Sequence, residues 1–132
     1  ECQVLMMRLK TDLLEIINCA TKDKINKINI LWNKKSCITI VLCAKGYPAS
    51  YIKDSEIKNL SKIFSDKNNQ IFHAGTYEKN GKIFSKSGRV LNITSLSRHL
   101  EEARDKSLDN LNKINWPDGF FRKDIGWKII KK

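Results

Sequence analysis

The chain has 132 residues, 41% of them hydrophobic and 30% charged, with a formal net charge of +11. That length suits one compact core, or one domain with a piece of another, and the mixed-sign charge is ordinary for a soluble globular protein. No apolar run approaches a membrane span and no basic-then-apolar leader opens the chain, so a cytosolic location is the default expectation.

The first residue is Glu1 rather than Met, and it leads straight into a helical pattern. The expectation is a chain whose natural start lies further upstream. Leu5, Leu9, Leu13, Ile16, Ile17 and Ala20 recur at steps of three and four, which predicts one helix over Val4–Ala20. Residues 22–35 are polar with scattered isoleucines and read as a connector and a domain boundary.

SCITIVLCA, Ser36–Ala44, is apolar and β-branched at nearly every position, as in a strand covered on both faces. Lys45-Gly46-Tyr47-Pro48 ends it with turn chemistry. Residues 51–65 are mixed and read as a short helix or a loop. Gln70–Thr76 predicts the next strand, Asn80-Gly81 a hairpin turn, Lys82–Ser85 the returning strand, and Arg89–Thr94 a third. Together these make an antiparallel meander.

Ser97–Ile114 carries a second amphipathic pattern, with Ser97 as the expected N-cap. Trp116-Pro117-Asp118-Gly119 stops it. Phe120–Ile130 reads as a returning extended segment interrupted at Asp124-Ile125-Gly126. The order of elements predicts an α+β fold, an antiparallel sheet with flanking helices.

The four cysteines, Cys2, Cys19, Cys37 and Cys43, lack CxxC spacing, and His73 and His99 lie far from them. That argues against a zinc site and for reduced, buried thiols in a reducing compartment. The positive charge invites a nucleic-acid reading. It is nearly all lysine, however, and scattered, with a dense block only in the last few residues. The arginines are Arg8, Arg89, Arg98, Arg104 and Arg122. Arginine is the better group for bidentate recognition, so nucleic acid is disfavoured.

Four places carry candidate chemistry. His73 sits in IFHAGT before the small pair Ala74-Gly75 and Thr76. A lone strand histidine is more often a satisfied core residue, yet the small neighbours would let a ligand or backbone approach. Arg89 follows Gly88 at a strand start and offers either a surface ion pair or a fixed cation for a phosphate or carboxylate. Arg122-Lys123-Asp124 reads as a local charge pairing or as a polar cluster at a domain interface, with Trp127 packed beneath. Glu1 is a lone acid at a helix start. No Walker loop, GxSxG or HExxH occurs.

The runs ECQVLMMRLKTDLLE, KGYPASY, IFHAGT, SGRVL and FFRKDIGW stand in this order across essentially the whole chain. As a set they closely resemble the C-terminal portion of the glycinamide ribonucleotide synthetase family, also called phosphoribosylamine–glycine ligases. The resemblance implies an ATP-grasp ligase that joins glycine to phosphoribosylamine through glycyl phosphate, with ATP as substrate and Mg2+ or Mn2+ neutralising the transferring phosphoryl group. It implies that residues 1–34 end the ATP-grasp lobe and that residues 35–132 form the C-terminal domain. The remainder of the ligase chain would be the partner, and the fragment would be inactive alone. Glu1 looks like the last acid of the family's Gly-Asp-Pro-Glu run, with the metal-binding Glu and Asn upstream of it.

The family pattern has two glycines before the arginine of SGRVL. Here Ser87 replaces the first, which is expected to make the turn less permissive. Ala49 stands where GYP is usually followed by glycine. The resemblance implies that His73, Gly75 and Thr76 edge a cleft beside Gly88 and Arg89, with Arg89 holding an anionic substrate group. The competing reading is a stand-alone basic domain that binds RNA or another polyanion. A different ATP-grasp ligase is a third, disfavoured by the order of the motifs.

Overall fold

A computed structural model describes residues 1–63 and 66–130. The fold is α+β, with seven antiparallel-paired strands and four helices among the described residues. Strand β1 is Ser36–Ala44, β2 Glu56–Ile57, β3 Asn69–His73, β4 Thr76–Lys79, β5 Lys82–Ser85, β6 Arg89–Ser97 and β7 Gly119–Phe120. Helix α1 is Cys2–Arg8, α2 Leu13–Thr21, α3 Leu100–Lys113 and α4 Trp127–Ile130. A four-stranded sheet runs in the order β3-β6-β1-β7 and a three-stranded sheet in the order β2-β5-β4.

The centre is the β1–β6 pair. Their alternation assigns each residue to a face. Ile38, Ile40 and Leu42 stand opposite Ser95, Ile93 and Leu91, and all are buried against α3. Helix α3 presents Ala103, Ser107, Asn110 and Leu111 at steps of three and four. Small side chains let the helix axis come close, and the Ser107 hydroxyl donates to Ser95 Oγ at 2.9 Å, so that two fully buried hydroxyls satisfy each other. On the opposite face Thr39 stands across from Thr94, Val41 across from Asn92 and Cys43 across from Arg89. Helix α1 covers part of that second face and leaves the rest open.

One irregularity sets the register there. Leu42 pairs with Leu91, but Cys43 pairs with Arg89, so Val90 is an extra residue in β6. Such a bulge puts two successive side chains on one side. Val90 and Leu91 both enter the core, and Arg89 returns to the same face as Asn92.

A second knot ties the small sheet to the large one. Trp116 Nε1 donates to Ser55 Oγ at 3.0 Å, Ser55 Oγ donates to Asp118 Oδ2 at 2.5 Å, and the Ser55 backbone N–H donates to Ser85 Oγ at 3.2 Å. Gly119 lies against the Trp116 ring, where a Cβ would collide.

Several expectations need correction. The predicted helix over Val4–Ala20 is two helices. Between them Leu9 bridges to Trp32, and Thr11 Oγ1 accepts from the Leu31 N–H at 2.7 Å and donates to the Asn29 carbonyl at 3.2 Å. Asp12 caps α2 by accepting from the Glu15 N–H at 3.1 Å. The supposed meander is split. The strand predicted over Gln70–Thr76 ends at His73, and Thr76 opens β4 in the other sheet. Ala74 and Gly75 instead both donate to the Val90 carbonyl. Only the Asn80-Gly81 hairpin of β4 and β5 keeps its predicted partner, both turn residues having positive φ.

Ser97 is not a cap. It ends β6, and its hydroxyl donates to Glu102 Oε2 at 2.8 Å, while His99 occupies the N-cap without a side-chain bond. The segment over Phe120–Ile130 is strand only at Gly119–Phe120, then a turn, then the short α4, because Gly126 at φ +80° reverses the chain. Residues 51–63 give β2 and a turn of 3-10 helix at Leu60–Lys62, while Phe64 and Ser65 lie outside the described residues, as does the Lys131-Lys132 basic end. The cysteines are free, but none is fully buried. Cys2 is exposed and Cys19, Cys37 and Cys43 are half-buried.

Candidate functional site

The open part of the second sheet face is a cleft of about 530 Å³. Its floor is sheet, with Thr39 and Val41 from β1 and Asn92 from β6. Its rim is Ala74, Ser87, Gly88 and Arg89 on one side and Tyr47 on another. Glu1, the N-cap of α1, and Gln3 of α1 complete the lining.

Glycines shape the rim. The Tyr47 ring lies directly over Gly88, where any Cβ would strike it. Behind the rim, Gly75 faces the Ser87 hydroxyl, and a Cβ there would also stand 2.6 Å from the Arg89 carbonyl oxygen. Ser87 Oγ donates to that same carbonyl at 2.9 Å. Ser87 does not need a positive φ, so the serine in place of the family's first glycine fits the turn.

The sequence-predicted residues divide into three groups. Glu1, Gly88 and Arg89 come together on the cleft. His73 lies in β3 opposite Leu91, on the other side of the sheet from Asn92, and its exposed ring shares a 2.9 Å hydrogen bond between Nδ1 and Thr76 Oγ1. His73, Gly75 and Thr76 thus support the turn behind the rim, where Ala74 rather than any of them lines the cavity. Arg122, Lys123 and Asp124 form a separate exposed group. Arg122 holds Asp124 through two contacts, Nε to Oδ1 at 3.1 Å and Nη2 to Oδ2 at 2.8 Å. That fork keeps the Asp124 carboxyl below its ordinary range and raises Arg122 in return. Arg122 also borders a neighbouring apolar recess of about 340 Å³, walled by Phe121, Ile125 and Pro48. Tyr47 stands between the recess and the cleft. Trp127 is partly exposed beside that group, its N–H bonded to the Asp124 carbonyl.

Charge separates the two arginines further. Arg122 is neutralised by Asp124, whereas Arg89 is exposed and makes no ion pair among the described residues. A guanidinium without a counter-ion at a cleft mouth suits an anion, and its fork favours phosphate or carboxylate. Cys43, across the strand from Arg89, is raised by burial, with the guanidinium pulling the other way. Burial pushes Cys37 up to about 11, partly offset by Arg8. Neither thiol is a ready nucleophile at neutral pH. Among the described residues no three His, Cys, Asp or Glu side chains stand together to hold a metal.

Tyr47 and Asn92 belong to the cleft and were not singled out in the sequence. Tyr47 is found only once the Gly46 turn and the Gly88 turn are brought together by β1 and β6. Asn92 had a signal, a lone amide inside the apolar run RVLNI.

Comparison with known proteins agrees with this architecture. The family model for the phosphoribosylglycinamide synthetase C domain matches residues 37–128. The whole chain is 42% identical to a phosphoribosylamine–glycine ligase of Brucella melitensis, covering 31% of that protein. It is also 42% identical to the chloroplastic phosphoribosylamine–glycine ligase of Arabidopsis thaliana, covering 25% of it. The chain therefore spans about a third or less of these two relatives. The crystal structure of phosphoribosylamine–glycine ligase from Thermotoga maritima superposes on 83% of this chain and 27% of its own, with a TM-score of 0.64 and 28% identity. With most of its length matched by the family model and its fold shared with a solved member, the chain belongs to the phosphoribosylglycinamide synthetase C-domain family.

Proposed function

We propose that this chain is the C-terminal portion of an ATP-dependent ligase that joins glycine to 5-phosphoribosylamine to give glycinamide ribonucleotide in purine biosynthesis. The observation that carries the reading is the match of the entire chain, without a large gap, to part of ligases of that name. In this ATP-grasp reaction the glycine carboxylate attacks the γ-phosphorus of ATP, ADP leaves, and glycyl phosphate forms. The amine of phosphoribosylamine then attacks the glycyl carbonyl and phosphate leaves, with loss of one proton from the nitrogen.

In this reading Arg89 holds the 5-phosphate of phosphoribosylamine, Gly88 lets Tyr47 wall the pocket, and the His73–Thr76 turn fixes the rim. Glu1 faces the same space. Arg122, Lys123 and Asp124 stand towards the rest of the ligase. The family implies Mg2+ or Mn2+, but the described residues do not fit such an ion, and no step is assigned to one on this chain.

We divide the chain at residue 34, with residues 1–34 ending the ATP-grasp lobe and 35–132 forming the C-terminal domain. Two observations support the division. The family match starts just past it, and not one residue of 1–34 is buried, although Leu13, Leu14, Ile17, Leu31 and Trp32 are large and apolar. Such a face fits a segment whose core comes from elsewhere in the ligase. A cytoplasmic location completes the reading, since a reducing compartment keeps the free cysteines as thiols.

The test is to express the complete reading frame and follow phosphate release with glycine, phosphoribosylamine and ATP. Release that needs all three supports the ligase. No release, with salt-dependent retention of random RNA instead, would favour the polyanion reading.

A further inference from the structure

Asn92 is only 6% exposed, lines the cleft, and its side-chain amide makes no hydrogen bond among the described residues. The amide is not one of the fully enclosed polar atoms without a hydrogen-bond partner, which are Asn69 Oδ1 and Arg104 Nε, so the access it keeps is to the cleft, where a bound ligand would take the place of water. Its neighbours show why no protein group answers it. In register it stands between Val41 on β1 and Phe72 on β3, neither of which can hydrogen-bond. The next polar pair along the same face is closed on itself, Thr94 Oγ1 donating to Thr39 Oγ1 at 2.8 Å.

The bulge at Val90 places Arg89 on this same face. Arg89 and Asn92 stand opposite Cys43 and Val41, two residues apart along β1 and so about 7 Å apart along the strand. That spacing matches the reach from the phosphate to the ring hydroxyls of a 5-phosphorylated pentose. The chemistry of the two groups divides in the same way. A guanidinium takes the doubly charged phosphate. An amide has two donors and one acceptor, and a carboxylate or phosphate would leave its oxygen unpaired. A sugar hydroxyl both donates and accepts, and so satisfies both ends.

We propose that the buried Asn92 amide, set beside Arg89 by the Val90 bulge, hydrogen-bonds the sugar hydroxyls of the phosphorylated ribose acceptor. The proposal rests on the ligase reading for the acceptor's name, but not for its chemistry. Asn92 is then a specificity residue, deciding for a sugar phosphate over a bare phosphate.

The experiment uses the complete chain with Asn92→Leu and Asn92→Ala, ribose 5-phosphate and inorganic phosphate as probes, and steady-state kinetics. Ribose 5-phosphate is expected to raise the wild-type unfolding temperature more than phosphate does. Asn92→Leu, with the same number and branching of side-chain heavy atoms and no amide to satisfy, is expected to stay close to the wild-type ligand-free unfolding temperature. It should weaken ribose 5-phosphate roughly tenfold and raise the KM for phosphoribosylamine by a similar factor, with those for glycine and ATP unmoved.

Ribose 5-phosphate binding equal to wild type in both variants overturns the proposal, and so does a rise confined to the KM for glycine or ATP. If both variants fail to fold, the wild-type Asn92 side-chain amide resonance decides, and no shift on adding ribose 5-phosphate overturns it. A complete chain that binds ribose 5-phosphate through Asn92 yet makes no product defeats the ligase reading and leaves this one standing.

Discussion

The two faces of the four-stranded sheet carry the same strands and opposite chemistry. Against α3, Ile38, Ile40, Leu42, Val90, Leu91 and Ile93 are all buried, and the hydroxyls that enter there pair with each other. On the other face, among the described residues, Arg89 makes no ion pair, the Asn92 side chain makes no hydrogen bond, and both line an open cleft. The closed face accounts for stability, and the proposed function assigns ligand contact to the open one. Packing is complete on the first face and open on the second, while the two enclosed polar atoms without a hydrogen-bond partner among the described residues, Asn69 Oδ1 and Arg104 Nε, lie on the α3 side.

Removing Trp116 should break the closed side most severely. Trp116→Ala deletes a ring that is 6% exposed and removes one of the bonds that join the two sheets, leaving Ser55 its bonds to Asp118 and Ser85. A loss of about 3–5 kcal/mol is expected in denaturant unfolding. On the open side, Gly88→Ala should cost about 1–3 kcal/mol by driving a Cβ into the Tyr47 ring, an overpacking cost. Tyr47→Ala in the same chain should recover much of it, since the obstacle is then gone. An equal loss with and without Tyr47 would contradict the placement of that ring.

The smallest effect concerns pH. The folded Cys37 thiol lies at about 11 against an ordinary 9.0, so the folded state holds its proton longer than the unfolded chain does. Stability should therefore fall as pH rises from about 9 to about 11, with no contribution from this group below that window. Cys37→Ala should flatten that part of the stability profile.

The closed face was largely legible in the sequence. SCITIVLCA declares a central strand by its β-branched run, and the α3 pattern declares an amphipathic helix. The cleft was legible in part. Glu1, Gly88 and Arg89 were marked by charge or by a turn, and the structure places them together. Asn92 and Tyr47 escaped because their roles depend on which strands are neighbours, and the bulge that turns Arg89 towards Asn92 has no signature in RVLNI. The single helix predicted over Val4–Ala20 failed for a similar reason. Its apolar period continues across Leu9, but the backbone there pairs with residues 29–33, a tertiary choice that periodicity cannot see. The Asp12–Glu15 cap was the available sign of a second start.

The measurement that bears most directly on the open face, and on the proposed ligase function, is steady-state kinetics of the complete chain with Arg89→Ala. A charge-assisted hydrogen bond to a phosphate is worth about 1.5–3 kcal/mol, so the KM for phosphoribosylamine should rise by roughly ten- to a hundredfold, with the KM values for glycine and ATP little changed. An unchanged KM for phosphoribosylamine together with an unchanged turnover would contradict the account, and the cleft would not be where the phosphate binds.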